Sequence, residues 1–154
     1  MKIEKKLIEL GIKIPTAAAP VANYVPFVVS GGLVSISGQV PFQDGKIAFT
    51  GKVNKNVSLE DACAAARLCA LNIVAQIKAA CDGDLNRVKR IVKLGGFVNC
   101  TDGFGGQPQI INAASDLMVD IFGDAGRHSR SAVGVNALPL NVPVEIDALV
   151  EISS

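Results

Sequence analysis

Val142-Pro143-Val144-Glu145-Ile146-Asp147-Ala148-Leu149-Val150-Glu151-Ile152 sets apolar side chains at every second position, with mostly polar ones between them. A period of two puts the two sets on opposite faces, which predicts a strand half-buried in an antiparallel sheet. Glu145 falls on the second face, with Pro143, Asp147 and Leu149 on its nominal side. If a neighbouring subunit covers that face, Glu145 becomes a buried carboxylate with a raised pKa, able to handle protons. If the face meets water, Glu145 is a polar strand position. The strand alone does not choose.

Working upstream, Leu138-Pro139 turns the chain and residues 130–135 form a short strand. Residues 108–122 carry Ile110, Ile111, Ala114, Leu117, Met118 and Ile121 on one helical stripe, with Pro108 in the first turn where its missing N–H costs nothing. Residues 88–99 are β-rich but contain Gly95-Gly96, read as an interruption. Ser58-Leu59-Glu60-Asp61 resembles a capping box and opens a helix to about Cys81, rich in alanine, with Leu68, Leu71, Val74 and Ile77 on related faces. So many small side chains predict close packing on a sheet. Asp82-Gly83 stops that helix. Residues 27–40 read as two strands around Gly31-Gly32, a pair that accepts the positive φ of a tight hairpin. Residues 46–53 read as a third strand after Asp44-Gly45, and residues 3–11 as a short helix with Ile3, Leu7, Ile8 and Leu10, stopped by Gly11.

The order α, β-β-β, α, β, α, β-β predicts an α+β sandwich: a mixed, mostly antiparallel sheet with two long helices on one face. The other face needs cover, so a symmetric homo-oligomer is expected. Residues 1–13 are taken as an N-terminal helical extension and 14–154 as a single domain.

Composition narrows the function classes. The chain has 154 residues, 49% hydrophobic and 19% charged, enough for a real core. Its 15 basic and 14 acidic side chains nearly cancel, and there are one Tyr and no Trp. Neither a phosphate-binding surface nor a base-stacking platform follows, so a nucleic-acid partner is disfavoured. The first six residues mix both charges without the apolar core of a signal peptide. The weakly charged stretch 14–43 is broken by Pro15, Pro20, Pro26, Pro41 and Gly31-Gly32, so it predicts no membrane-spanning helix. A cytoplasmic protein is expected. Cys63, Cys69, Cys81 and Cys100 lack C-x-x-C or His spacing and read as reduced core or surface residues rather than nucleophiles or metal ligands.

Three local motifs have both a chemical and a plain reading. Gly103-Phe104-Gly105-Gly106 has no phosphate-loop spacing; a flexible turn before a helix outweighs the lid or rim of a cleft. His128 is the only histidine, so it makes no metal site by itself, and a Ser-His-Asp set with Ser129 or Ser131 has no support in spacing. A loop residue near the site is the preferred reading over a general base. Arg127 and Arg130 sit where a loop enters a strand, a common place for binding groups, and a guanidinium can grip a carboxylate through two parallel hydrogen bonds. Spacing alone favours the alternative, a solvated or salt-bridged surface pair.

The ordered set of Asn23-Tyr24-Val25, Ser37-Gly38-Gln39-Val40-Pro41, Ser129-Arg130-Ser131-Ala132-Val133, and Leu138-Pro139 with Val144-Glu145-Ile146 resembles the Rid (YjgF) family of small imine deaminases, from about residue 20 to 152. The resemblance implies a chorismate-mutase-like (YjgF-like) fold, a homotrimer with clefts between subunits, and hydrolysis of reactive 2-imino or enamine acids derived from amino acids to 2-keto acid and ammonia. It implies no cofactor and no metal. Carried over by position, Arg130 holds the substrate carboxylate and Glu145 positions or activates water. Tyr24, Ser37, Gly38, Asn112, Ser131 and Ala132 line the substrate site. Ala132 stands where such deaminases often have Cys, and residues 99–107 are longer and richer in Gly than in typical members. A non-catalytic trimer that binds small acids or proteins is therefore the alternative, with an endoribonuclease ranked below it.

Overall fold

The computed structural model describes residues 2–19 and 23–154; Met1, Val21, Ala22 and Pro20, one of the breakers above, lie outside the described residues. Helix α2 (Leu59–Ala80) carries much of the core. The Ser58 hydroxyl accepts the Asp61 N–H at 3.1 Å, and Glu60 and Asp61 sit at the positive end of the helix dipole. At the other end Asp82 and Gly83 take φ of 53° and 92°, and the Gly83 N–H reaches the Lys78 carbonyl at 2.8 Å. That left-handed turn is what stops the helix. Ala62, Ala65, Ala66, Cys69, Ala70 and Ile73 are fully buried. The predicted close packing is visible at Cys69, whose thiol reaches the backbone carbonyl of Val144 in the sheet, 3.6 Å away. By length and composition α2 could cross a membrane, but 61% of its apolar window is buried in the core of this domain.

Helix α3 (Gln107–Phe122) lies beside α2 and buries the stripe from Ile110 to Ile121. Both rest on a five-stranded sheet ordered β1-β2-β7-β5-β6, comprising β1 (Phe27–Ser30), β2 (Leu33–Gln39), β5 (Val88–Asn99), β6 (Ser129–Val135) and β7 (Val144–Ile152). Every neighbouring pair is antiparallel except β5–β6, which is parallel. Strand β7 is the middle one and alternates buried and half-buried residues along its whole length. Gly31 and Gly32 take φ of 58° and 79°, as the two-residue hairpin demands.

Two expectations fail. Residues 46–53 do not form a third strand of the sheet: only β4 (Lys46–Ile47) pairs, with β3 (Phe42–Gln43), as a separate two-stranded ribbon. Val53 makes isolated bridges to Val57 and Cys100. Nor does Gly95-Gly96 interrupt β5, which runs through both residues. Their missing side chains make room on each face. A Cβ on Gly95 would meet the Asp147 carboxylate, and one on Gly96 would lie 2.6 Å from Ile111 Cδ1. Helix α1 (Lys2–Leu10) docks with Leu7 buried, while Ile8 is 80% exposed, so its predicted apolar set is only partly used.

Candidate functional site

The sheet's helix-covered face takes Val144, Ile146, Ala148, Val150 and Ile152; its open face takes Glu145 and Asp147. Glu145 faces a cavity of about 430 Å³ bordered by Tyr24, Pro26, Ser37, Gly38, Gln39, Val40, Phe42, Pro139 and Leu140. The register of β2 against β7 shifts between Ile36 and Gln39, which puts Ser37-Gly38 in a bulge beside Glu145. A Cβ on Gly38 would collide with the Glu145 carboxylate, so glycine is required there for close approach. The Ser37 hydroxyl donates to the Val25 carbonyl at 2.7 Å, and its N–H to the Pro26 carbonyl at 2.9 Å. Ser37 thus fastens the Tyr24 segment to the sheet. Gln39 donates back to the Ser37 carbonyl at 2.9 Å, and Asn72 of α2 donates to the carbonyls of Val40 and Phe42 at 3.0 Å each. These bonds hold the wall of the cavity.

Burial pushes the Glu145 carboxyl above its ordinary value, and the neighbouring Asp147 charge adds to the effect. Asp147 is likewise raised by burial, against the opposing pull of the Gly95 N–H and Lys93. A carboxyl shifted this way keeps its proton to higher pH than a solvated one, which suits an acid–base group.

Arg130 stands elsewhere. In the parallel ladder it pairs with Leu94, a residue buried under the helices, whereas Glu145 pairs with Phe97 on the other face. Within the chain the two candidate catalytic residues therefore occupy opposite faces of the sheet. The Arg130 side chain reaches α3: Nη1 donates to Ser115 Oγ at 3.0 Å and Nη2 to the Pro108 carbonyl at 3.2 Å. Both acceptors are neutral, and among the described residues no carboxylate forms an ion pair with Arg130. Arg127, by contrast, is an exposed partner of Asp124 at 3.4 Å, the surface role its spacing suggested.

Asn112 is exposed on α3, four residues after Pro108 and three before Ser115, so it shares the helical stripe that anchors Arg130. Ala132 lies on the Arg130 side of β6, and Ser131 on the open face, next to Gly95 and in the same row as Asp147. The predicted set thus divides into a Glu145 half with Tyr24, Ser37 and Gly38 and an Arg130 half with Asn112 and Ala132, Ser131 lying on the Glu145 face but at the sheet edge. His128 joins the Arg130 half through Ser115 (Nε2 to Oγ, 2.8 Å), not through Ser129 or Ser131. Sequence reasoning missed Ser115, Gln39 and Leu140; a serine on a helix and a glutamine ending a strand carry no local signal of a site.

Residues 101–106 are not a loose lid. Phe104 packs against the core, Gln107 Nε2 donates to its carbonyl at 2.7 Å, and Thr101 N–H bonds to the Val53 carbonyl at 3.2 Å. A groove of about 560 Å³ between residues 13–18, the β3–β4 ribbon and Leu68 and Leu71 of α2 contains none of the candidate residues. Among the described residues no three His, Cys, Asp or Glu side chains converge in a metal-binding cluster.

Residues 4–152 match the family model described as "YjgF/chorismate_mutase-like, putative endoribonuclease", a span that begins inside α1. Protein TCP17 of Trypanosoma cruzi is 47% identical over 154 residues, covering 99% of this chain and 96% of that protein. The crystal structure of Atu1372 from Agrobacterium tumefaciens, a protein of unknown function, superposes with a TM-score of 0.91 at 51% identity, over 98% of this chain and 92% of that one. E. coli TdcF with bound serine gives a TM-score of 0.64 at 29% identity, over 89% of this chain and 94% of that one.

Proposed function

Because the chain belongs to the YjgF/chorismate mutase-like family, we propose that it is a hydrolytic deaminase of reactive 2-imino and enamine acids. The observation that carries the reading is the Arg130 guanidinium, pinned through two of its five N–H donors to neutral acceptors on α3 and left without a carboxylate partner among the described residues. Three donors remain for a ligand, enough to grip a carboxylate in bidentate fashion. A family relative with serine bound, TdcF, supports a small amino-acid-like ligand. Glu145, raised in pKa and facing the cavity beside Tyr24, is the proton-handling group.

With Arg130 and Glu145 on opposite sheet faces, the complete site takes one half from each of two protomers, in a homotrimer with three clefts. The substrate enters as a protonated imine, already electrophilic at carbon. Water adds its oxygen to that carbon and gives a proton to Glu145, which passes it to the amine nitrogen. The C–N bond then breaks, the departing ammonia takes the hydroxyl proton and leaves as ammonium, and a 2-keto acid remains. Fixing the carboxylate gains mainly from proximity, and the general base adds about 10²–10⁴-fold. We extend the proposal to a cytoplasmic location, in keeping with four free cysteines.

The test couples the protein to an amino acid oxidase that releases 2-iminopropanoate or 2-iminobutanoate, with semicarbazide trapping the free imine. The wild type should suppress trapping; Arg130→Ala and Glu145→Gln should not. Mixed trimers refolded from these two inactive variants should regain part of the activity, because some clefts then hold both native halves. Failure of the wild type to suppress trapping of any imine, with pyruvate binding intact, would leave a non-catalytic acid-binding trimer instead.

A further inference from the structure

Around Arg130 the hydrogen bonds run in a chain whose polarity can be assigned from one end. His128 Nδ1 lies 2.7 Å from the Gly126 carbonyl oxygen, which only accepts, so Nδ1 carries the proton. In the neutral ring Nε2 is then the acceptor, and the atom 2.8 Å away is Ser115 Oγ, whose hydrogen must point at it. With that hydrogen committed, the oxygen turns a lone pair toward Arg130, which donates from Nη1 at 3.0 Å. Mid-helix serines usually bond back to their own helix or to water; this one is engaged by a residue thirteen positions on.

The anchor at the far end is rigid. Gly126 lies so close to α3 that a Cβ there would run into the backbone of Met118 and Val119. The turn of residues 123–126 is therefore pressed on the helix, and its last carbonyl stands under the imidazole.

We propose that Ser115 and His128 are positioning residues for Arg130, with the single histidine of the chain locked in its Nδ1-protonated tautomer so that the Ser115 hydroxyl presents oxygen, not hydrogen, to the guanidinium. The inference rests on Arg130 being the carboxylate anchor. It gives His128 an orienting role and makes it unavailable as a base, because its lone pair is already occupied by Ser115.

One histidine in the sequence makes the test direct. Long-range ¹H–¹⁵N spectra of the ¹⁵N-labelled full chain should show a protonated Nδ1 and an unprotonated, hydrogen-bonded Nε2; Ser115→Ala should move Nε2 toward the value of a free acceptor. Pyruvate affinity, read by titration, should fall about tenfold in Ser115→Ala and in His128→Ala, the scale of one hydrogen bond to a charged group. Ser115→Thr, which keeps the hydroxyl, should restore most of it. A wild-type ring protonated on Nε2 overturns the proposal and requires no variant to fold. So does a folded Ser115→Ala protein that binds pyruvate as the wild type does while Arg130→Ala does not. If Arg130→Ala itself binds normally, the carboxylate reading falls, and the proposed positioning role falls with it.

Discussion

Replacing Glu145 by Gln should stabilise the protein while abolishing the proposed chemistry. Burial is the main reason its carboxyl is raised, and the Asp147 charge is the second. Alternate residues on a strand face stand about 7 Å apart. Two unit charges at that distance, in an effective dielectric of about 40–80, repel by roughly 0.6–1.2 kcal/mol. Because both groups are only half-buried and water screens them, the net gain from the amide should be about 0.5–1 kcal/mol. For a domain of this size that raises Tm by about 1–4 °C. The sign with pH follows from linkage. A raised folded-state pKa means the folded protein binds this proton more tightly than the unfolded chain does, so stability falls as pH rises through the carboxylate range toward the folded value. Glu145→Gln removes that loss. Its advantage should be full at pH 8 and fade as the pH drops until Glu145 is protonated in both states. Thermal unfolding of both proteins at pH 4, 6 and 8, at one protein concentration, reads this out. A Gln variant less stable at pH 8, or a gain independent of pH, would refute the assignment of Glu145 as a partly desolvated carboxylate beside a like charge.

Four other substitutions probe the frame of the fold and its site. Gly38→Ala puts a Cβ into the space of the Glu145 carboxylate; kcat in the imine assay should drop at least about tenfold with Tm little changed, and an unaltered kcat would mean the carboxylate need not stand there. Gly96→Ala crowds Ile111 and should cost about 1–3 kcal/mol; Ile111→Ala alone should cost about 2–5 kcal/mol. In the double variant the new methyl occupies vacated volume, so the urea-unfolding losses should sum to less than additive, and strict additivity would contradict the contact. Ser58→Ala removes the cap of α2 and should lower stability by about 1 kcal/mol, seen as a Tm lower by roughly 2–4 °C.

The elements legible in the sequence were those whose cause is local. Ser58 marks the start of α2 because its hydroxyl serves its own helix, Gly31-Gly32 marks a hairpin because the turn itself needs positive φ, and β7 announces itself by alternation. What was misread depends on distant neighbours. Residues 46–53 have strand-like side chains, but only Lys46-Ile47 pair in a ladder, with Phe42-Gln43, and Val53 makes only isolated bridges. Gly95-Gly96 looked like a break because the groups that fill its missing side chains, Asp147 and Ile111, come from β7 and α3. The site followed the same rule. Tyr24, Ser37, Gly38 and Glu145 border one cavity although they come from separate segments of the chain. That Arg130 faces the other side of the sheet is fixed by its pairing with Leu94, a register no spacing reveals.

The middle position of β7 bears on how the protein is made. The strand that joins β2 to β5 is synthesised after every other strand. Until residues 144–152 leave the ribosome, the nascent chain can hold only two separate half-sheets, β1–β2 and β5–β6, each with an inner border of unpaired N–H and C=O groups. Those borders can join borders on other nascent chains, and long-range pairing is slow to close. The covering helices α2 and α3 are complete by then, with much of their apolar faces awaiting the strand. Vectorial synthesis therefore leaves this fold exposed to aggregation until β7 arrives, and helper proteins that shield exposed strand edges should matter for it.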